Sequence, residues 1–317
     1  MGKYFVKRLL LLIPTLFLVC FIVFALMRMI PGSAVDIIQE KMSTTTNAVD
    51  REAIEAMLGL DKPFMTQFGL WLVDLLHGDM GTSIFQNQTV TSIIATKLVI
   101  TLELVIMILI ISACVAIPLG LLCAAYQDTF TDNVIRVISI ILMSVPIFWI
   151  ATLVLVYPAV WWRYSPPITY VSFFEDPVRN LKMFLPPALI GGLTNAGGTL
   201  RNVRTLTLEV LRQDYIRTAW SKGLKHRAIL FVHAFRNTMI PVITMIGGSI
   251  SGLLGGSVIL ESLFRIPGIG SQLTNALSSY DYPLVQGCVL VMAAIAMVIT
   301  LLVDLSYKLA DPRVKLE

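Results

Sequence analysis

Of 317 residues, 56% are hydrophobic and only 14% are charged, where a soluble domain carries about a quarter. That balance, with a mean hydropathy of +0.79, excludes an ordinary soluble enzyme or binding module and indicates a chain that crosses a membrane repeatedly. The net charge of +4 reads through membrane topology rather than nucleic acid, and Cys20, Cys114, Cys123 and Cys288 all fall in apolar runs without a CxxC pair, as small core residues do.

A spanning helix needs about 20 apolar residues, and six stretches qualify or nearly do. A short basic start, 1–8, precedes the first span at 9–29. Its apolar run is longer than a signal-peptide core, and no small-residue cleavage site follows, so an uncleaved span is expected. Pro31-Gly32 then breaks the helix. The segment 30–98 is expected outside the membrane, with one helix over 47–60 and a second carrying the stripe Phe64, Phe68, Trp71, Leu72, Leu75 and Leu76, stopping near Gly78. Such an amphipathic pair is either a subdomain packed on the outer membrane face or a docking surface for an external partner.

The second span, 99–126, carries Glu103 near its outer end. A carboxylate in a membrane is costly unless paired or wet, so Glu103 is a candidate pathway or outer-gate residue, although it lies close enough to the boundary to reach the interface. An inner loop at 127–136 leads to the third span, 137–162, which contains Pro146 and ends on the interfacial pair Trp161-Trp162. An outer loop, 163–182, leads to the fourth span at 183–205. There Gly192 to Thr199 has the spacing of a phosphate-binding loop but Gly198 where a lysine must reach the phosphates, so no nucleotide site is expected. The fifth span, 237–261, holds Gly247, Gly248, Gly252, Gly255 and Gly256, which suits close helix packing, and ends at Glu261, a second outer-gate candidate. An outer loop, 262–281, the sixth span, 282–305, and a tail, 306–317, complete the chain.

Between the fourth and fifth spans lies a basic island, 206–236. Eight Lys or Arg residues fall within 201–241, opposed only by Glu209 and Asp214. Placing this island inside puts 15 of the 24 basic residues on the inner side and both termini in the cytoplasm. Topology alone explains the charge but not the length, nor the order: a helix over 208–222, a break at Gly223 and a short helix over 224–230. A protruding lever of this kind suits a chain that must be driven by a partner.

The residues that follow one another here carry a resemblance. Asp214-Tyr-Ile-Arg217, Thr218-Ala219, Gly223 and Arg236-Asn-Thr-Met-Ile-Pro241 resemble the "EAA" cytoplasmic loop of ABC importer permeases, in the dipeptide, oligopeptide and nickel branch. Matches along the rest of the chain include Leu58-Gly-Leu-Asp-Lys-Pro63, Gly78-Asp-Met-Gly-Thr-Ser83, the Glu261 to Gly270 turn and Asp311-Pro-Arg313. The Glu and first Ala that name the loop are Arg217 and Thr218 here, and Trp220 stands where a small or charged residue is usual.

The resemblance implies an all-α polytopic membrane protein with six transmembrane helices, both termini cytoplasmic, in the type I ABC importer permease fold, of the kind with a long loop after its first span. It implies a non-enzymatic transport subunit in a bacterial or archaeal plasma membrane, the inner membrane in a Gram-negative cell. Expected partners are a second homologous permease, two ATP-binding subunits that hold the ATP and magnesium, an extracytoplasmic substrate-binding protein and the lipid bilayer, with no nucleic acid. No cofactor, metal or catalytic residue is expected on this chain. By the same resemblance Asp214, Tyr215, Arg217, Thr218, Ala219, Lys222, Gly223, Leu224, Lys225 and Arg227 couple to the ATPase. The expected cargo is a di- or oligopeptide; a nickel or other metal chelate and an oligosaccharide are the alternatives within the branch. A single-chain secondary transporter is the alternative outside it, disfavoured because the spans bury no titratable cluster apart from Glu103 at an edge.

Overall fold

The computed structural model describes residues 2–29, 35 and 61–310. The helix expected over 47–60 lies outside the described residues. Among those described the chain is helical, with one isolated antiparallel bridge between Thr82 and Thr89. In order the helices are α1 (Gly2–Met29), α2 (Phe64–Leu76), α3 (Val90–Ala125), α4 (Phe130–Ser144), α5 (Ile147–Trp162), α6 (Pro177–Leu211), α7 (Asp214–Ser221) and the single turn α8 (His226–Ala228). A π-helical segment, Ile229–Ala234, then opens into α9 (Phe235–Phe264), followed by α10 (Ile269–Ser279) and α11 (Tyr282–Ala310).

Among the described residues, four stretches are long and apolar enough to cross a membrane: Leu10–Met29, Val90–Ala125, Pro241–Phe264 and Tyr282–Val303. A fifth is counted if α4 and α5 form one broken span, for they meet at 89°. Within the span expected over 137–162 the helix is thus interrupted at Val145-Pro146. Pro146 has no N–H to give to the helix before it, and its ring pushes Val145 into the extended region (φ −81°, ψ 126°), which ends α4. In α6, 35 residues long, the apolar content falls below that of the other spans. Its Met183, Phe184, Ala188, Ile190 and Leu200 are buried against protein, so its outer faces need not match lipid.

The chain forms two compact units, Met1–Val99 with Ile269–Ala294 and Ile100–Gly268 with Ile295–Glu317. In the first unit the stripe of α2 packs on α1. Phe68 is buried with Cys20, Phe24 and Leu290, and Phe64, Trp71, Leu72 and Leu75 close around them. Phe68 meets Phe21 and Phe24 edge-on, each at 5.4 Å between ring centroids, the arrangement aromatic quadrupoles favour. Leu76, the last member of the expected stripe, is exposed at the helix end. In the second unit Leu104 and Ile108 of α3, Ala151 of α5, Phe184 and Ala188 of α6 and Leu260 of α9 make one core.

Candidate functional site

The basic island is built as an extension of α6. That helix stops at Leu211, and Gln213 turns extended (φ −72°, ψ 149°) to start α7, with Asp214 placed in the first turn where the helix dipole favours an anion. The single helix expected over 208–222 is thus corrected to two, broken at Arg212-Gln213. One face of α7 is apolar at helical spacing: Ile216 and Ala219 are buried with Ile229, and Leu211 covers them. The opposite face is open, with Asp214, Arg217 and Thr218 exposed and Asp214 and Arg217 paired at 3.5 Å.

At the end of α7 the chain reverses through a hydrogen-bonded stop. Leu224 donates its N–H to the Ala219 carbonyl at 3.3 Å, and Gly223 donates to Trp220 at 2.9 Å. This paired pattern needs a left-handed residue between them, and Gly223 supplies it at φ +77°. Lys222, Gly223, Leu224 and Lys225 are all exposed around the turn. Trp220 stacks on His226 at 5.6 Å, closing the turn from outside, and the Tyr215 hydroxyl accepts from Asn237 at 2.9 Å, fastening α7 to the start of α9. Arg227 lies in α8; the placement of its side chain lies outside the described residues. The second short helix expected over 224–230 is instead a turn, α8, running into the π-helical segment.

Sequence reasoning missed the bracket that holds this extension. Arg204 on α6 grips Asp132 on α4 with both arms, Nε to Oδ1 at 2.9 Å and Nη2 to Oδ2 at 2.8 Å. Asp132 has no exposed surface; it also accepts from the Asp128 N–H at 3.0 Å, while its own N–H reaches the Thr129 cap. The bidentate geometry matches a planar guanidinium to a carboxylate and fixes direction as well as distance. The only signal in the sequence was the capping pattern of Thr129 with Asp132, which names neither the partner nor the distance of 72 residues to it.

The two carboxylates singled out as outer-gate candidates sit in different settings. Glu103 on α3 is half-buried and accepts from the Asn180 amide at 2.7 Å and the Tyr170 hydroxyl at 3.1 Å, joining α3 to the start of α6 and the loop before it. Burial, and then the Glu103 carboxylate, push the Tyr170 phenol above its ordinary range. Glu261 on α9 has no exposed surface and accepts from Thr101 at 2.8 Å and Ser257 at 3.3 Å. Gly268 passes so close that a β-carbon there would collide with the Glu261 carboxylate and the Thr101 hydroxyl. Ser257 and Leu260, just before Glu261, line a cavity of about 460 Å³ with Thr194 and Asn195 of α6 and Gly252 and Gly256 of α9. Of the glycines expected to pack α9, Gly247 faces Val303, whereas Gly248, Gly252, Gly255 and Gly256 have open space beside them.

Long apolar helices and an exposed amphipathic segment rooted in a buried ion pair define the chain as an integral, multi-pass membrane permease component. It belongs to the family of binding-protein-dependent transport system inner membrane components, whose model matches residues 116–316, with the family's N-terminal region matching 1–105. A protein of Brucella abortus (strain 2308) named for a peptide transport system permease is 36% identical over 315 residues, 99% of each chain. The dipeptide transport system permease protein of Alkalihalophilus pseudofirmus is 32% identical across 99% of this chain and all of its own. A crystal structure of an amino acid ABC transporter with histidines shares the fold, with a TM-score of 0.51 at 16% identity, covering 71% of this chain and 95% of that one.

Proposed function

We propose that this chain is one half of the translocation pathway of an ATP-driven, binding-protein-dependent importer of short peptides. In this reading it has six spans, α6 and the broken α4–α5 pair among them, with both termini in the cytoplasm. It carries no nucleotide site: ATP and magnesium belong to two partner subunits, a homologous permease completes the pathway, and an external binding protein delivers the cargo. The peptide class rests on the relatives' names.

The observation that carries the coupling role is the one-sided burial of α7. Its inner face is held by Leu211, Ile216, Ala219 and Ile229, while Asp214, Arg217, Thr218, Lys222 and Lys225 are left facing outward around a glycine stop. A short helix with so much surface open in the isolated chain is a handle for another protein. Force applied to it reaches α6 through Leu211, and the Asp132–Arg204 bracket passes it to α4 rather than letting the end of α6 bend. We assign the cavity beside Ser257 and Leu260 to the pathway, with Glu261 behind its wall, and give Glu103 the part of a staple between α3 and α6.

The test is purification of the tagged chain from its host in mild detergent, with co-purifying subunits identified by mass. Stoichiometric ATPases and a second permease support the reading. A lone chain, or a homo-oligomer without ATPases, overturns it.

A further inference from the structure

Within the first unit, α1, α2 and α11 enclose a second cavity of about 320 Å³ that the coupling reading does not use. Its wall is charged in an ordered way. At one end Arg28 donates to Gln67 at 2.8 Å while its guanidinium lies over the Phe24 and Tyr282 rings, at 4.8 and 5.4 Å. Lys62 belongs to the same end, since Gln67 also donates to the Lys62 carbonyl at 2.7 Å. The first turn of α2 opens here on Pro63 with no side-chain cap, so the positive pole of the helix adds to the two cations. At the other end stand Asp74, on the last turn of α2, and Asp79, whose N–H is bonded to the Asp74 carbonyl at 3.0 Å. Trp71 lies between the two ends.

Gln67 and Asp74 are seven residues apart on the same helix face, which puts the poles about 10 Å from each other at 1.5 Å per residue. An extended peptide advances about 3.3 Å per residue, so about 10 Å is the span of three. Gln286 of α11 also lines the cavity; it is only 4% exposed and its Nε2 has no hydrogen-bond partner among the described residues. A buried amide N–H left unsatisfied is costly, and a peptide carbonyl would satisfy it.

We infer that this cavity is a binding site for a short zwitterionic peptide, about three residues long. Its carboxylate sits at Lys62 by the first turn of α2, its ammonium at Asp74 and Asp79, and a main-chain carbonyl accepts from Gln286. The charged poles make the site a reader of length and free ends, and Leu70, Trp71 and Met80 in its wall offer apolar contact to the side chains. The inference rests on the peptide-importer reading and adds to it a station on the permease itself, separate from the pathway cavity.

The experiment is calorimetric titration of tri-alanine into the purified permease–ATPase complex without binding protein, beside N-acetyl-tri-alanine amide, which lacks both end charges. Tri-alanine is expected to bind, with about tenfold or greater weakening for the blocked peptide and for Asp74→Asn or Lys62→Gln. Both residues are exposed, so these variants keep the fold. No heat from tri-alanine, equal binding of the blocked peptide, or unchanged binding by both variants overturns the site. ATP-driven uptake of a tryptic casein digest by the complete importer separates the two claims. If uptake persists while tri-alanine fails to bind, only the site is wrong; if uptake is absent, the importer reading itself has failed.

Discussion

α2 and α7 are made by one local recipe and put to different uses. Both are short amphipathic helices, and both end in the same hydrogen-bonded reversal, closed by Gly78 at φ +83° in one case and Gly223 at φ +77° in the other. α2 buries Phe68 and half-buries Phe64, Trp71, Leu72 and Leu75 in a cluster with aromatic rings from α1. α7 buries two residues, Ile216 and Ala219, and leaves Tyr215 and Trp220 about half exposed. In the proposed reading, depth of anchoring rather than helix type separates a wall from a handle.

Substitutions can break or sharpen that contrast. Phe68→Ala removes the centre of the α2 cluster and should cost about 4 kcal/mol, read as a large drop in the thermal midpoint of the purified chain. A drop no larger than that of a surface control would mean α2 is not a wall. Asp132→Asn leaves the half-buried Arg204 guanidinium without its carboxylate, and about 3 kcal/mol should be lost. Pairing it with Arg204→Met should restore much of the midpoint but not transport, because the directional link between α4 and α6 is gone. Full uptake by that double variant would remove the bracket from the coupling route.

Gly223→Val should cost about 1–2 kcal/mol, all of it in backbone strain, since no atom lies within 4 Å of the added β-carbon. ATPase activity should persist while uptake falls; normal uptake would show that the turn does not transmit force. Smallest in stability, and most telling about the handle, is Arg217→Glu with Lys222→Glu. The midpoint should move by less than about 0.5 kcal/mol equivalent, while ATPase recovered in pull-down drops sharply. An undiminished ATPase yield would leave the open face of α7 without its proposed partner.

What could be read beforehand was whatever is written locally. Apolar runs, the α2 stripe and the need for glycine at 223 depend on neighbours a few residues away, and each has its place in the structure. What joins distant segments was hidden. Pro146 stood in plain view inside an apolar run, but whether a proline kinks a helix or ends it depends on packing that periodicity does not encode. Asp132 looked like loop charge and Arg204 like one more topogenic cation, because nothing in either neighbourhood announces the other. Glu103 stood out as a carboxylate within a span and Glu261 only as the end of one, and their partners alone distinguish a half-buried staple from a fully enclosed acid.

The π-helical segment Ile229–Ala234 sits where the handle turns into α9. Such a turn carries one residue more than the α-helix on either side of it. Passing that surplus residue along the helix twists every residue it crosses by about 100°, one step of a 3.6-residue screw, with little change in length. In the coupling reading proposed above, a pull on α7 would be delivered as a rotation of α9, as a camshaft converts a push into a turn.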